Sequence, residues 1–441
     1  MFKTLANVFR IPDLRKKILI TLFILTLYRL GSFIPIPGVS GTELKSFFAR
    51  QTGSIFDLLN LFVGGNFERA SIFALGIMPY ITASIVIQLL GSIIPYFEKL
   101  RKEGADGQKK LNQITRYCTV VLAAFNAITI TVGLVNMTGA TGPVVPHPSF
   151  LFHLTGIITL VTGTMIVMWL GEQITEYGIG NGISLIIFAG IIARYPEGFI
   201  NLFRTRFNSV SGVLTSLLAI AVMILATAAI IFVTEAIRKI PVQYAKRIVG
   251  RKVYGGQSTY IPLRVNTAGV IPIIFAQSIL MFPATLITLF QGGEAEAGSF
   301  WYNMRIWFSP GHWVYTILYV GLIIFFAYFY TAIVLNPTEM AENMIKYGGH
   351  IPGKKPGKKT AEYISSVLTR ITLPGAVFFA LIALLPEIMT NVFKLPFYFG
   401  GTGLIIVVGV ALDTLKQIES HLIMRHYDGF MKRGKLRGRA S

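Results

Sequence analysis

The sequence has few charged residues, fewer acidic than basic ones, and a single cysteine. Only 14% of its 441 residues are Asp, Glu, Lys or Arg, whereas 53% are hydrophobic. That balance excludes an ordinary soluble enzyme and is typical of a chain that crosses a bilayer several times. Because Cys118 is the only cysteine, an internal disulfide and a cysteine-based metal site are excluded as well. We therefore predict an all-α polytopic membrane protein without a cofactor.

Acidic residues and histidines are also missing from the middle of the apolar stretches. No acidic residue and none of the six histidines lies at such a centre. Proton-coupled pumps and intramembrane proteases need ionisable groups at that depth, so we expect neither class, and we expect no enzyme. The one cation near mid-depth is Arg29, which we interpret as a structural residue that caps helix carbonyls or extends towards the surface.

Ten apolar stretches are candidate membrane spans, although the fifth, ninth and tenth are short. Most of the 40 Lys and Arg residues lie in segments that share a side with the N-terminus, so the positive-inside rule places both termini in the cytoplasm. No small-residue cleavage site precedes the first span, and we expect no removable signal peptide. The predicted spans are Ile18–Pro37, Ile72–Pro95, Cys118–Met137, Leu151–Leu170, Ile179–Ala193, Val213–Val233, Ala268–Phe290, Trp313–Leu335, Ile371–Pro386 and Phe397–Leu412.

Two motifs occur once in each half of the chain. The motif G-x-x-P-x-I begins at Gly76 and again at Gly269, and L-I-I-x-x-G begins at Leu185 and again at Leu404. Internal duplication of this kind is typical of transport-type membrane proteins built from inverted repeats. We therefore predict ten transmembrane helices in two pseudo-symmetric inverted halves of five. The two halves are residues 1–205 and residues 206–441.

The repeated motifs place isoleucines on one side of four helices. Residues four positions apart share a helix face, so branched apolar side chains from both halves can point at one axis. A ring of such side chains makes a constriction that water leaves and ions do not cross. The alternative is that these are ordinary core or lipid-facing positions. The five candidates are Ile77, Ile81, Ile187, Ile274 and Ile406.

Two of these helices contain prolines and are predicted to act as hinged walls. Pro79 and Pro272 each remove a helix hydrogen bond and are expected to permit local bending. Polar residues on the same helices predict a weakly held seam between the halves, because hydrogen bonds between membrane helices average about 0.6 kcal/mol. A polar seam is also ordinary helix packing. The seam candidates are Thr82, Ser84, Gln88, Gln277 and Ser278.

Residues 53–66 lie between the first and second spans. The apolar stretch from Ile55 to Val63 is too short to cross a bilayer, and glycines flank it on both sides. This pattern predicts either a small mobile helix that folds back against a pore or a helix that lies in the membrane interface. The apolar candidates are Ile55, Phe56, Leu58, Leu59, Leu61 and Phe62.

Two long loops carry more basic residues than membrane topology alone requires. Residues 235–266 contain KRIVGRKVYGGQ, which predicts a short β-hairpin, and residues 336–370 contain IPGKKPGKKT. Together with the basic tail, residues 414–441, these loops suit an anionic partner such as RNA, an acidic protein face or lipid headgroups. The alternative is a pair of solvated loops. The docking candidates are Arg247, Arg251, Lys252, Lys354, Lys355, Lys358 and Lys359.

Several long stretches, spread over nearly the whole chain, resemble the SecY family of bacterial protein-translocase channel subunits. The resemblance implies a channel in the bacterial cytoplasmic membrane that passes unfolded secretory polypeptides and releases hydrophobic segments sideways into the bilayer. The stretches are YRLGSFIPIPG from Tyr28, SIFALGIMPYITASI from Ser71, MWLGEQITEYGIGNGISLIIFAGI from Met168, YGGQSTYIPLRVNTAGVIPIIFA from Tyr254 and PFYFGGTGLIIVVGVALDTL from Pro396.

The resemblance also implies roles and partners. It implies that the five isoleucines form a pore ring, that residues 53–66 form a plug, and that a lateral gate lies where the second and third spans face the seventh and eighth. The implied partners are the SecE and SecG membrane subunits, the SecA ATPase motor, the ribosome, clients with signal sequences, and anionic lipid. The chain departs from the family pattern at Lys355, where Arg is usual, and Lys does not reproduce Arg's bidentate donor fork.

Three other classes remain as alternatives. A secondary transporter of a small solute shares inverted repeats, but it needs convergent polar groups at mid-depth, which are scarce in this sequence. An intramembrane enzyme needs a catalytic pair within the spans, and none can be assembled. A structural scaffold subunit makes no further demand on the sequence.

Overall fold

The computed structural model describes residues 11–50, 60, 63–206, 210–244, 247–249, 252–254, 258–291, 300–309, 311–393 and 401–433. Most of these residues are helical. The helices are α1 (Pro12–Gly31), α2 (Gly41–Arg50), α3 (Met78–Ile93), α4 (Pro95–Lys102), α5 (Ala105–Val135), α6 (Phe150–Tyr177), α7 (Gly182–Ile192), α8 (Tyr195–Arg206), α9 (Val210–Glu235), α10 (Ile271–Gln291), α11 (Phe300–Trp307), α12 (Trp313–Val334), α13 (Pro337–Lys346), α14 (Lys358–Phe393) and α15 (Gly401–Arg433). The strands are β1 (Ile237–Tyr244), β2 (Arg247–Val249), β3 (Lys252–Tyr254), β4 (Ser258–Arg264) and β5 (Gly349–His350).

Each predicted span contains a helix, but fewer than ten of the helices that the structure describes have the dimensions of a full span. Seven of them are long and apolar enough to cross a membrane, and there are eight if the pair α3 and α4, bent by 98°, counts as one broken span. A shorter apolar helix covers Ile271–Met281 in α10. The helix α1 begins with Asp13, Arg15, Lys16 and Lys17, and these charges make its sequence less apolar. A multi-pass helical membrane protein is therefore confirmed, whereas the count of ten is not.

Helix ends differ from the predicted span ends where polar residues continue a helix. The helix α5 begins at Ala105 rather than Cys118, and α14 begins at Lys358 rather than Ile371. The helix α15 continues to Arg433, far beyond Leu412. Hydropathy marks only the part of a helix that suits lipid, so it does not report these polar extensions.

The chain forms two compact units. The first unit comprises Met1–Phe199, Met281–Ser309 and Val410–Ser441, and the second comprises Ile200–Leu280 and Pro310–Gly409. In the first unit, α5 packs between α3 and α6. One of its apolar clusters joins α2 to α5 and α6 through buried residues, which include Leu44, Phe48, Leu134 and Leu160. In the second unit, α12 packs along α14.

The predicted hairpin is present, and the two basic loops also form a separate three-stranded sheet. Strands β2 and β3 pair antiparallel, with Arg247 opposite Tyr254. Strand β1 pairs with β4 on one side and with β5 of the following long loop on the other, in the order β4-β1-β5. Ile240 and Val242 of β1 point inwards and pack with Met344 of α13 and Ile364 of α14. The two basic loops therefore share one apolar core, and we call the β4-β1-β5 sheet, α13 and the start of α14 the loop platform.

Candidate functional site

The first G-x-x-P-x-I motif forms the start of α3. Gly76 has a φ of +54°, a backbone conformation that favours glycine. The residues that precede the helix are turns, and α3 begins at Met78 rather than at the predicted Ile72. Ile77 precedes the first turn, and its carbonyl accepts the N–H of Ile81 at 3.1 Å. The two candidate isoleucines are thus related by one helical turn, as the motif predicts.

The second copy of the motif has the same geometry in the second unit. Gly269 has a φ of +65°, and α10 begins at Ile271, two residues later. The carbonyl of Val270 accepts the N–H of Ile274 at 3.3 Å. Val270 therefore stands where the first copy has Ile77, and the shared geometry supports reading the motif as a true internal repeat.

The prediction that Pro79 and Pro272 remove a helix hydrogen bond and permit bending is wrong. Pro79 and Pro272 are the second residues of α3 and α10, in the first turn, where a backbone N–H has no partner within the helix. Proline is favoured there because its fixed φ suits a helix start. The proline that does lie inside α10 is Pro283. The motif prolines therefore define where the helices begin, and they do not act as hinges.

The glycine that ends each L-I-I-x-x-G motif packs closely against another segment of its unit. A Cβ atom added to Gly64 would lie 2.5 Å from the Cα atom of Gly190, the last residue of the first L-I-I-x-x-G motif. A Cβ atom added to Gly409, the last residue of the second copy, would overlap the side chain of Val270. This glycine therefore leaves room for another backbone segment in the first unit and for a valine side chain in the second.

All five candidate pore residues are buried. Ile406 is 0% exposed, Ile77 and Ile187 are 3% exposed, and Ile81 and Ile274 are 4% exposed. The first unit contributes three of them and the second unit contributes two. Their burial removes the lipid-facing alternative, and the pore ring stays a prediction.

The seam candidates bond within their own helices or their own unit. The side chains of Thr82, Ser84, Gln88 and Ser278 make hydrogen bonds that stay within one helix. Gln277 is 2% exposed, and its Nε2 donates to the Tyr315 hydroxyl of α12 at 3.3 Å, within the second unit. These bonds stabilise each unit, and the seam between the halves stays a prediction.

The docking candidates of the second basic loop lie in the turn before α14 and at the start of that helix. Lys354, Lys355, Lys358 and Lys359 are all exposed. The hydroxyl of Thr360 donates to the Lys355 carbonyl at 2.9 Å, and the Nζ atom of Lys354 lies 5.2 Å from the centre of the neighbouring Tyr363 ring. In the first basic loop, Arg247 and Lys252 belong to β2 and β3, whereas Arg251 lies outside the described residues.

The loop platform is less uniformly cationic than its sequence indicates. A cavity of about 850 Å³ lies between α13 and the start of α14. Glu342 and Glu362 line it together with Lys358. An acidic face therefore lies beside the lysine-rich turn.

The plug candidates lie outside the described residues. They are Ile55, Phe56, Leu58, Leu59, Leu61 and Phe62. The chain that follows them is described, and Arg29 donates from Nη1 to the carbonyl of Gly64 at 3.3 Å. Arg29 therefore caps a carbonyl, as predicted, although of a turn rather than a helix. Polar residues around this turn, among them Asn60, Glu68 and Arg194, were missed by the sequence analysis; a lone acid beside a Gly-Gly pair was the available signal.

These features define a multi-pass helical membrane protein in which the same sequence motif begins a helix in each of the two units. A family model described as SecY matches residues 71–415. The protein translocase subunit SecY of Escherichia coli strain K12 is 47% identical over 427 residues, which cover 97% of this chain and 96% of that protein. The SecY subunit of Rickettsia conorii is 48% identical over 428 residues, with coverage of 96% and 97%. The chain belongs to the SecY family.

Solved structures share the fold at low sequence identity. A protein-conducting channel matches with a TM-score of 0.66 and 18% identity, over 92% of each chain. Sec61 in the canine ribosome–channel complex from the endoplasmic reticulum matches with a TM-score of 0.62 and 17% identity, again over 92% of each chain. The fold is therefore that of a protein-conducting channel, and these relatives give no support to the small-solute transporter alternative.

Proposed function

We propose that this chain is the channel-forming subunit of a bacterial protein translocase. It passes unfolded secretory polypeptides across the cytoplasmic membrane and releases hydrophobic segments laterally into it. The observation that carries the proposal is the sequence identity of 47% and 48%, over nearly the whole chain, to translocase subunits of the SecY family. The ten helices belong to two inverted halves, residues 1–205 and 206–441, and both termini lie in the cytoplasm.

The proposed barrier is a ring of five buried isoleucines, Ile77, Ile81, Ile187, Ile274 and Ile406. Branched apolar side chains around a narrow opening exclude water, and ions do not cross a dewetted constriction. The same side chains adapt to a moving polypeptide because dispersion contacts are individually weak and do not depend on direction. Residues 53–66 complete the seal as a plug.

Sideways release uses the seam of Thr82, Ser84, Gln88, Gln277 and Ser278. Interhelical hydrogen bonds in membranes average about 0.6 kcal/mol, so a few of them open at small cost. An apolar segment of a client then leaves the aqueous pore for lipid, where its transfer free energy is more favourable. No energy source within the chain is needed for this step.

The driving force comes from partners. The SecA motor or the ribosome supplies it from the cytoplasm, and SecE and SecG complete the assembly in the membrane. The lysine-rich turn of the loop platform offers Lys354, Lys355, Lys358 and Lys359 to an anionic surface of these partners or to anionic lipid. Two solved relatives of the same fold are ribosome-bound complexes, which supports the ribosome as a partner.

Ion leakage tests the ring. We expect Ile81→Gly and Ile274→Gly to raise the resting conductance of the assembled translocase in planar bilayers, because each substitution removes a side chain from the constriction. The matched control is Ile224→Gly in α9, where the side chain is 66% exposed and its removal leaves the pore intact. Unchanged conductance in both pore variants would count against the ring.

Contact with a client tests the conduit itself. Cys118→Ser gives a cysteine-free background, in which single cysteines replace the five isoleucines in turn. A secretory polypeptide stalled during transport should crosslink to these positions and not to a cysteine at Ile224. Crosslinks confined to other parts of the chain would overturn the proposed path.

A further inference from the structure

A buried stretch without helix leads from the glycine pair to α3. Residues 63–77 are turns apart from the isolated pairing of Pro35 with Ser71, yet most of them are buried. Backbone N–H and C=O groups in such surroundings need partners other than water. Part of this need is met by α1: the Tyr28 hydroxyl donates to the Val63 carbonyl at 3.4 Å, and Arg29 bonds the Gly64 carbonyl.

Five polar side chains tie this stretch to the surrounding helices, and we call them the anchor cluster. In its buried part, Asn66 donates from Nδ2 to the Tyr28 hydroxyl at 3.1 Å. Asn66 is 0% exposed and Tyr28 is 1% exposed, so these two polar groups depend on each other, and the Tyr28 hydroxyl also bonds the Val63 carbonyl. The members are Tyr28, Asn60, Asn66, Glu68 and Arg194.

Glu68 is the centre of the second part of the cluster. Its Oε2 atom accepts from Asn60 Nδ2 at 3.0 Å and from Arg194 Nη2 at 3.2 Å, while its backbone N–H donates to Asn60 Oδ1 at 3.1 Å. The side chains of Glu68 and Arg194 are only 23% and 30% exposed. Charge-assisted hydrogen bonds in such partly buried surroundings are stronger than those of an exposed pair.

The cluster joins the stretch to the helix that carries a candidate pore residue. Arg194 follows α7, and its backbone N–H donates to the carbonyl of Ile191 in that helix at 3.1 Å. Ile187 lies in the same helix, and Gly190 makes the close backbone approach to Gly64. The ion pair and the glycine contact therefore fix the same stretch against the same helix at two points.

We propose that the anchor cluster is a positioning device for the resting channel, in which the Glu68–Arg194 pair holds the chain after residues 53–66 in register with the pore-lining helix α7. This inference rests on the proposed function. The stretch continues directly into Ile77 and α3, so a shift along it would move two pore residues relative to Ile187. The pair is polar and partly exposed, so breaking it does not require unfolding of the apolar core around it.

Charge substitution tests the anchor in the assembled translocase. We expect Glu68→Gln and Arg194→Gln each to raise the resting ion conductance in planar bilayers by about fivefold. This is the increase in the fraction of open channels that we expect when one partly exposed ion pair is lost. The double exchange Glu68→Arg with Arg194→Glu restores the pair and should return the conductance towards that of the unaltered chain. The matched control, Glu197→Gln, removes the same charge from an exposed position on α8 and should not change conductance.

The outcomes separate this inference from the proposed function. The same proteoliposomes are supplied with the motor, ATP and a secretory polypeptide, and transport is measured beside conductance. If the unaltered chain transports but Glu68→Gln and Arg194→Gln leak no more than Glu197→Gln, the anchor is refuted. If the single and exchanged variants leak equally, the pair is not what positions the stretch. If the unaltered chain transports nothing, the proposed function fails. A merely structural loss would lower protein yield and heat stability without recovery of conductance in the exchanged variant.

Discussion

Replacing Gly409 with alanine should disturb the contact between the two repeated motifs in the second unit. The added Cβ atom would overlap the Cγ1 atom of Val270, whereas the Val270 Cβ atom would be 3.6 Å away, so one methyl group carries the conflict. Val270 cannot retreat easily, because its carbonyl accepts the N–H groups of Ile273 and Ile274 at the start of α10. Overpacking of a core costs about 1–3 kcal/mol, while alanine gains about 1 kcal/mol over glycine in a helix. We expect a net destabilisation of about 1 kcal/mol.

The second substitution identifies the cause. Val270→Ala removes the conflicting methyl group, and on its own it leaves a small cavity. In the double variant the Cβ atom of Ala at position 409 occupies part of that space, so the two changes should destabilise the protein less together than their sum, by about 1 kcal/mol of coupling. Gly321→Ala is the control, because a Cβ atom added to this glycine would meet no atom within 4 Å and α12 should gain stability.

Thermal unfolding of the purified translocase in detergent measures all four variants. The expected order of midpoints places Gly321→Ala at or above the unaltered chain and Gly409→Ala below it. The double variant should lie above the value obtained by adding the two single shifts. Additive shifts, or a Gly409→Ala protein as stable as the control, would refute the reasoning that this glycine exists for close packing.

Two further predictions concern the ends of elements. Hydrogen bonds from the Thr141 hydroxyl and backbone lower the pKa of Glu43. The stability that these bonds contribute is therefore complete above about pH 4.3, the pKa of a free glutamate, and is lost as the pH falls through the lower pKa of the folded state. Proteolysis of the loop around Thr141 should rise at acid pH, and Glu43→Gln should remove that pH dependence. Pro79→Ala and Pro272→Ala should change the unfolding midpoint little, because both prolines occupy first turns; a large loss of stability or a straightened helix would restore the hinge interpretation.

Membrane spans and motif positions are accessible to sequence analysis because each depends on local composition. Each predicted span contains a helix, and the helix starts that follow Gly76 and Gly269 have the same geometry, as the repeated motif indicates. The hinge prediction for proline is wrong for a physical reason. Hydropathy does not distinguish an apolar turn from an apolar helix, so a prediction from hydropathy joins residues 72–77 to α3 and places Pro79 in the interior of that helix.

Features that depend on distant pairing are not accessible in this way. Strand β5 pairs with β1 through Gln243 and His350. A strand of two residues is too short to show the alternation of polar and apolar residues that predicts a strand. Likewise, Glu68 meets Arg194 across 126 positions, and neither side chain belongs to a recognisable motif. Sequence spacing reports contacts within one element, whereas these contacts depend on how separate elements pack.

The two kinds of contact around the candidate pore residues have different physical consequences. Gly190 packs against the Gly64 backbone and Gly409 against the Val270 side chain, and a packed interior responds to added volume with strain rather than with gradual movement. The anchor around Glu68 acts through polar groups that exchange partners at modest cost. Close packing therefore constrains the positions of the elements that carry Ile187 and Ile274, and a polar contact holds the segment that precedes α3. A channel that must seal at rest and admit a polypeptide needs both.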